Sequence, residues 1–414
     1  MKETNIIFGK KSFAHKKMKI FLYMLFMGTF LTACGKAEKG NQVTEAVYLG
    51  VENYGAEEVN KDTKEDFSYR FEIDGRETIL KIDSGAKNEE GEYTYPIQNL
   101  LKEGYSYTIH IENGTVKAVE EKVVSLDYSL PVEGEPGKRT LKNFLATAVM
   151  PVGNTLYVYG GGWDWQDVGT AIQARSIGVS EDWVRFFREH DENYTYRDKD
   201  GDEAKKDPAN SYYPYGGYNE YYYAGLDCSG YLGWTVYNVM NTEDGQDGYV
   251  VPSTKFAKSL ADRGWGNWTQ EVQKPLDRAS SEFLPGDVVS ISGHVWMCLG
   301  TCEDGSILIL HSTPALSRKD QPGGGPEFSA IGEDRNCDAY VLAETYLSKY
   351  FPEWYERYPV ALKDYEQYTA FEGEYAGKFS WNLTGENGGL SDPDGYRNKT
   401  PEEIMEDLFQ NLYK

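Results

Sequence analysis

The run Tyr223-Ala224-Gly225-Leu226-Asp227-Cys228-Ser229-Gly230-Tyr231-Leu232 constrains this chain more than any other. A helical pattern begins at its cysteine. Leu232, Val236, Val239 and Met240 repeat at i, i+4, i+7 and i+8, the spacing of a buried helix face. Asp227 is placed to cap that helix. Three apolar runs follow at short intervals, over 288–291 after Pro285-Gly286-Asp287, over 294–299 after Gly293, and over 307–311 after Asp304-Gly305. Gaps this short predict an antiparallel meander. A cysteine-bearing helix packed on an antiparallel sheet places the second part of the chain in the α+β class.

The same residues carry candidate chemistry. A thiol at a helix N-terminus meets the positive end of the dipole and free N–H groups, which together depress its pKa. A neighbouring histidine would complete the activation and later protonate a leaving amine. Backbone donors at the helix start would stabilise an oxyanion. Beyond residue 33 the histidines are His110, His190, His294 and His311. His110 falls on the polar face of a strand, and His190 ends an acidic helix. His294 opens one strand of the meander and His311 closes the next, so both lie near one edge of the sheet. Each alone reads equally well as a structural histidine.

The N-terminus sets the compartment. Lys10, Lys11, Lys16, Lys17 and Lys19 precede an apolar run over 20–30, too short for a comfortable membrane span, which ends at Leu31-Thr32-Ala33-Cys34. This order is similar to a bacterial lipobox. The similarity implies cleavage of a signal over residues 1–33 and lipidation of Cys34; an ordinary signal peptide is the alternative. The expected location is extracytoplasmic, anchored by lipid to a bacterial membrane, on the outer face of the cell membrane in a Gram-positive organism. Net charge is −24, and residues 1–33 hold six lysines and one glutamate, so the remainder stands at −29. Such acidity excludes nucleic acid as a partner. Four further cysteines, Cys228, Cys298, Cys302 and Cys337, match no zinc spacing and make no disulfide framework, although a Cys302–Cys337 bridge stays open.

Between these ends, residues 34–45 read as a polar tether. Residues 46–128 read as a small all-β domain of SH3-like or OB-like size, with Asp74-Gly75 and Asn113-Gly114 turning alternating runs into hairpins. A linker over 129–138 leads to the catalytic part, 139–414. Short helices are expected over 168–177 and 181–190, the second with Trp183, Phe186 and Phe187 on one side. The acidic run at 198–202 fails as a calcium loop, because its twelfth position is Ala209. No metal or cofactor is expected. Thr400-Pro401-Glu402-Glu403 forms a capping box for a last helix.

Taken together, Asp227-Cys228-Ser229-Gly230-Tyr231-Leu232, Pro285-Gly286-Asp287-Val288-Val289, His294-Val295 with Leu299-Gly300, and Leu310-His311-Ser312 resemble an NlpC/P60 cysteine peptidase. Tyr157-Val158-Tyr159-Gly160-Gly161 resembles that family's Tyr-x-aromatic-Gly-Gly element, and the match spans 139 to about 315. The resemblance implies a papain-like fold and cleavage of peptidoglycan stem peptides, typically after D-glutamate. It implies Cys228 as nucleophile, His294 as base and acid, and His311 as the group orienting His294. Tyr157, Asp227 and Ser229 would line the substrate cleft, with Asp227 available to a peptide amine. The chain departs from the pattern in two places: an insertion over 163–225, rich in tyrosine, separates the glycines from the cysteine, and Trp296 replaces a small residue. Both are expected to border the cleft, and 316–414 reads as a C-terminal extension. An amidase or acyltransferase on the same fold, and a wall-binding protein without catalysis, are the alternatives.

Overall fold

The computed structural model describes residues 41–51, 68–83, 101–121, 126–163, 169–189, 223–240, 248–316 and 322–410. The expectations for residues 1–33 and Cys34, for His190, for the acidic run at 198–209 and for the tyrosines at 212–222 lie outside these.

Alternating side chains build the first of two sheets. Strands β1 (Asn41–Val51), β2 (Tyr69–Ile73), β3 (Arg76–Ile82), β4 (Ser106–Glu112) and β5 (Thr115–Glu121) close into a barrel in the order β1-β2-β3-β5-β4. Its two tight hairpins turn at Asp74-Gly75 and Asn113-Gly114, all four residues having positive φ, as such turns require. Phe71, Tyr107, Ile109 and Val116 are fully buried inside. β1 begins within the segment expected to be a tether. Its residues from Asn41 to Glu45 pair with β4, from Asn41 opposite Glu112 to Glu45 opposite Thr108, while their side chains stay largely exposed. Main-chain pairing on an existing strand extends β1 where composition alone signals only solvent.

The remaining described residues build an α+β unit. Seven strands, β6 (Gly266–Thr269), β7 (Val288–Ile291), β8 (His294–Thr301), β9 (Ile307–Leu316), β10 (Pro322–Ile331), β11 (Leu362–Lys363) and β12 (Gly377–Trp381), lie in the order β11-β10-β9-β8-β7-β12-β6. Strands β7, β8 and β9 are the antiparallel meander. Eight α-helices accompany the sheets among the described residues: α1 (Leu141–Val149), α2 (Glu181–Glu189), α3 (Cys228–Met240), α4 (Ser253–Asp262), α5 (Asp338–Tyr350), α6 (Pro352–Arg357), α7 (Tyr365–Tyr368) and α8 (Pro401–Phe409). None is long and apolar enough to cross a membrane. Where a helix was expected over 168–177 there is only a 3-10 turn, Gln173–Arg175; Ile172 and Ile177 are exposed, so no buried stripe forms. In α2, Trp183, Phe186 and Phe187 are buried. The barrel reaches α2 through Lys102, whose ammonium lies 2.5 Å from Asp182.

The two faces of the larger sheet differ. Val295, Met297, Leu308, Leu310 and Phe328 join the main core with α1 and α3. Trp296, Cys298, Ile307 and Ile309 face a second, smaller core with Phe283 and Tyr365. The segment expected as an extension supplies β10, β11 and β12 to this same sheet. Glycine and proline at 322–326 argue against a strand. They are tolerated because another chain segment needs the space: a Cβ on Gly325 would stand 2.2 Å from the Thr155 carbonyl. Asp287, fully buried at the start of β7, is held by Lys378 at 3.1 Å and Arg397 at 2.6 Å, which ties β12 and the C-terminal region to the meander.

Candidate active site

Helix α3 begins at Cys228, and its first turn is capped from within. Asp227 Oδ1 accepts hydrogen bonds from the Gly230 N–H at 2.7 Å and the Ser229 hydroxyl at 3.1 Å. The glycine element reaches this turn despite the long intervening sequence. Leu226 N–H donates to the Leu156 carbonyl at 3.1 Å and Asp227 N–H to the Gly161 carbonyl at 3.0 Å. The approach is so close that a Cβ on Gly230 would lie 1.9 Å from the Gly161 oxygen. Trp163 Nε1 donates to Ser229 Oγ at 3.1 Å, and Tyr157 N–H to the Gly324 carbonyl at 2.7 Å. From the other side, Ser312 Oγ donates to the Leu226 carbonyl at 2.7 Å, fixing the cysteine turn to β9.

Two of the three residues expected to act together, His294 and His311, are in contact, and Cys228 lies against the main chain beside them. Cys228 Sγ contacts the carbonyl oxygen of Gly293, the residue before His294, at 4.0 Å. His294 Nε2 lies 2.8 Å from His311 Nδ1 across adjacent strands. His311 is fully buried, and its Nε2 lies 2.9 Å from Ser329 Oγ on β10. Ser329 Oγ donates in turn to Glu327 Oε1 at 3.0 Å. Glu327 stands directly opposite His311 in the β9–β10 register, with Ser329 on its diagonal, within reach across a pleated sheet. The ring of Tyr368, from α7, meets both imidazoles edge-on, at 5.6 Å from His294 and 5.9 Å from His311.

Trp296 does not border an open cleft. It is fully buried, stacks on Phe283, and donates its indole N–H to the Tyr368 carbonyl at 3.1 Å. Its bulk therefore holds the helix that covers the histidine pair. Tyr157, Asp227 and Ser229 are 8%, 8% and 3% exposed. Asp227 acts here as a cap, and with Oδ1 occupied it is not the open carboxylate that pairing with an amine called for. Ser329, Glu327, Lys363 and Tyr368 went unnoticed in the sequence, although the two-residue spacing of Glu327 and Ser329 between buried Phe328 and Ala330 is a strand signal.

Electrostatics overturn the expectation of a depressed thiol. Burial, then the Asp227 carboxylate, push the Cys228 thiol up to about 12, outweighing the N–H groups of Ser229 and Val295. Burial, assisted by the Lys363 charge, pushes His294 down to about 3, and burial, then His294, then Lys363 drive His311 well below its usual range. At neutral pH the thiol and both imidazoles are therefore uncharged. Asp227 itself is raised to about 7 by burial, against the opposing pull of the Gly230 N–H and the Ser229 hydroxyl. The cysteines Cys228, Cys298, Cys302 and Cys337 are all free thiols, so the Cys302–Cys337 bridge is not formed. His110 lies 3.6 Å from Glu120 on the barrel, away from the other histidines. Among the described residues, no group of three or more histidine, cysteine, aspartate or glutamate side chains could hold a metal ion.

Searches against family models, curated proteins and solved structures return no match to this chain.

Proposed function

We propose that this protein is a cysteine endopeptidase of peptidoglycan stem peptides, with an NlpC/P60-like, papain-like catalytic unit carried outside the cell on a lipid anchor at Cys34. One observation carries the reading: a cysteine at the first turn of a helix lies against the strand start that bears a histidine, itself 2.8 Å from a second, buried histidine. In this mechanism His294 Nδ1 takes the Cys228 proton as sulfur attacks the scissile carbonyl, which matches a resting state where both groups are neutral. Backbone N–H groups at the start of α3 stabilise the oxyanion. Protonated His294 then gives its proton to the leaving amine, the C–N bond breaks, and a thioester remains. Water, deprotonated by His294, hydrolyses the thioester and restores the thiol. Tyr157, Asp227 and Ser229 flank the nucleophile on the substrate side, and cleavage falls after D-glutamate.

The test is mass spectrometry of purified wall digested by the whole protein. Wild type should release split stem peptides, and Cys228→Ala should release none while keeping its thermal melt. Intact peptide freed from sugar would instead identify an amidase. The depth of the thiol, 6% exposed, favours a second reading as a wall-binding protein without catalysis; binding of wall with no fragment released by wild type would establish it.

A further inference from the structure

The histidine pair is the start of a longer chain of polar groups. It runs from His294 on β8 through His311 on β9 to Ser329 and Glu327 on β10, crossing three neighbouring strands on the face of the second core. His311, Ser329 and Glu327 are all fully buried. Water does not compete there, and each hydrogen must go to the next group in line.

We propose, building on the peptidase reading, that Glu327 acting through Ser329 is a positioning residue that sets the direction of every proton in this chain and thereby leaves His294 Nδ1 as the free base. The argument is one of donors and acceptors. Glu327 Oε1 accepts from the Ser329 hydroxyl, as it does in a carboxylate and equally in a carboxyl with its proton on Oε2, and this turns the Ser329 lone pair towards His311. His311 Nε2 must then carry its proton and donate it to Ser329. A neutral imidazole with hydrogen on Nε2 has its lone pair on Nδ1, so His294 must donate from its own Nε2. The nitrogen left to accept the thiol proton is His294 Nδ1. If the chain ran the other way, Nδ1 would carry a hydrogen, and Cys228 would have no base.

Burial pushes Glu327 up to about 8, while Lys363 on β11, the Ser329 hydroxyl and the Trp354 indole on α6 each favour the charged carboxylate. Glu327 Oε2 and Trp354 Nε1 are each buried without a well-formed hydrogen bond, although the indole is close enough to favour the charge. An N–H facing that oxygen disfavours a proton on it. The Lys363 ammonium also lies 5.5 Å from the centre of the Tyr368 ring, which packs on both imidazoles.

Imidazole tautomers are read directly by nitrogen NMR of the full protein labelled at histidine, with His294 signals assigned from the spectrum of His294→Ala. Wild type should show His294 with hydrogen on Nε2 and a bare Nδ1. Glu327→Gln keeps the shape but offers an amide that donates as well as accepts; Ser329→Ala cuts the chain with a smaller change. In both, His294 should move towards the Nδ1–H form, and kcat/KM on wall fragments should fall about tenfold or more. Hydrogen on Nδ1 in wild type would overturn the proposal. So would unchanged tautomers in both folded variants, whether or not the rate falls. The Nε2–H tautomer in wild type and its shift in both variants, with no wall cleaved by wild type, would uphold the chain and remove the peptidase reading, so the two claims fail separately.

Discussion

Burial of Cys228 and of His294 makes a quantitative statement about how the thiol reacts. With the thiol near 12 and the imidazole near 3, neither group is charged at neutral pH. At pH 7 a thiol of that pKa is about 0.001% thiolate, against roughly 3% for an unperturbed cysteine at 8.5. Thiolate concentration alone would slow reaction with a disulfide probe by about 3,000-fold. The rarer thiolate is more nucleophilic, however, and a Brønsted coefficient near 0.45 over 3.5 units recovers a factor of about 40. Net labelling of Cys228 should therefore be about 80-fold slower than that of a cysteine in an unfolded peptide. The assay is stopped-flow or timed labelling with a small aromatic disulfide, quantified by mass spectrometry of the Cys228 peptide so that Cys298, Cys302 and Cys337 do not contribute. The rate should climb tenfold per pH unit from 5 to 9 without a plateau. A flat rate from pH 4 to 8, or labelling faster than the free peptide at pH 7, would mean a preformed thiolate–imidazolium pair and would refute the neutral resting state. A slow thiol in this test is compatible with the proposed mechanism, in which the base acts only as the substrate carbonyl arrives.

Three further outcomes follow from particular contacts. Gly230→Ala gains about 1 kcal/mol of helix propensity but sets a Cβ 1.9 Å from the Gly161 oxygen. Overpacking of about 1–3 kcal/mol should win, lowering the melting temperature and the wall-cleaving rate together. Lys378→Met leaves the buried Asp287 with Arg397 alone, and should reduce stability to urea by about 3 kcal/mol. Asp227 has a folded pKa of about 7, raised by burial above its usual value of 3.8. Its contribution is therefore fully present below pH 3.8 and lost as pH rises through 7, by at most about 4 kcal/mol. Urea midpoints measured from pH 4 to 8 should fall for wild type and flatten for Asp227→Asn, which keeps an oxygen for the Gly230 N–H.

What was legible in the sequence is what short motifs encode. Cys228 at a helix start, His294 after Gly293 and His311 at the end of a strand all follow from local periodicity and turn residues, and the meander brings the two imidazoles within 2.8 Å. The hairpins of the barrel were legible for the same reason. Burial was not. The helix dipole pointed to an activated thiol, but desolvation by the surrounding core is a tertiary quantity, and here it is the larger effect. Trp296 looked like an intruder at a cleft because its partners, Phe283 and the Tyr368 carbonyl, come from other parts of the chain. Glu327 and Ser329 were hidden by the glycines and prolines before them, which weaken a strand signal unless one knows that Thr155 needs the room.

β10 bears on where this protein has a seam. One strand receives the Tyr157 N–H at Gly324 and, three residues on, carries Glu327 towards His311. A chain ending near 315 would strip β9 of β10 and leave it paired with β8 alone. It would expose a long edge of unpaired main-chain groups and leave the innermost imidazole facing water. Monodispersity would suffer. The last hundred residues are therefore no detachable accessory, because three strands of the larger sheet go with them.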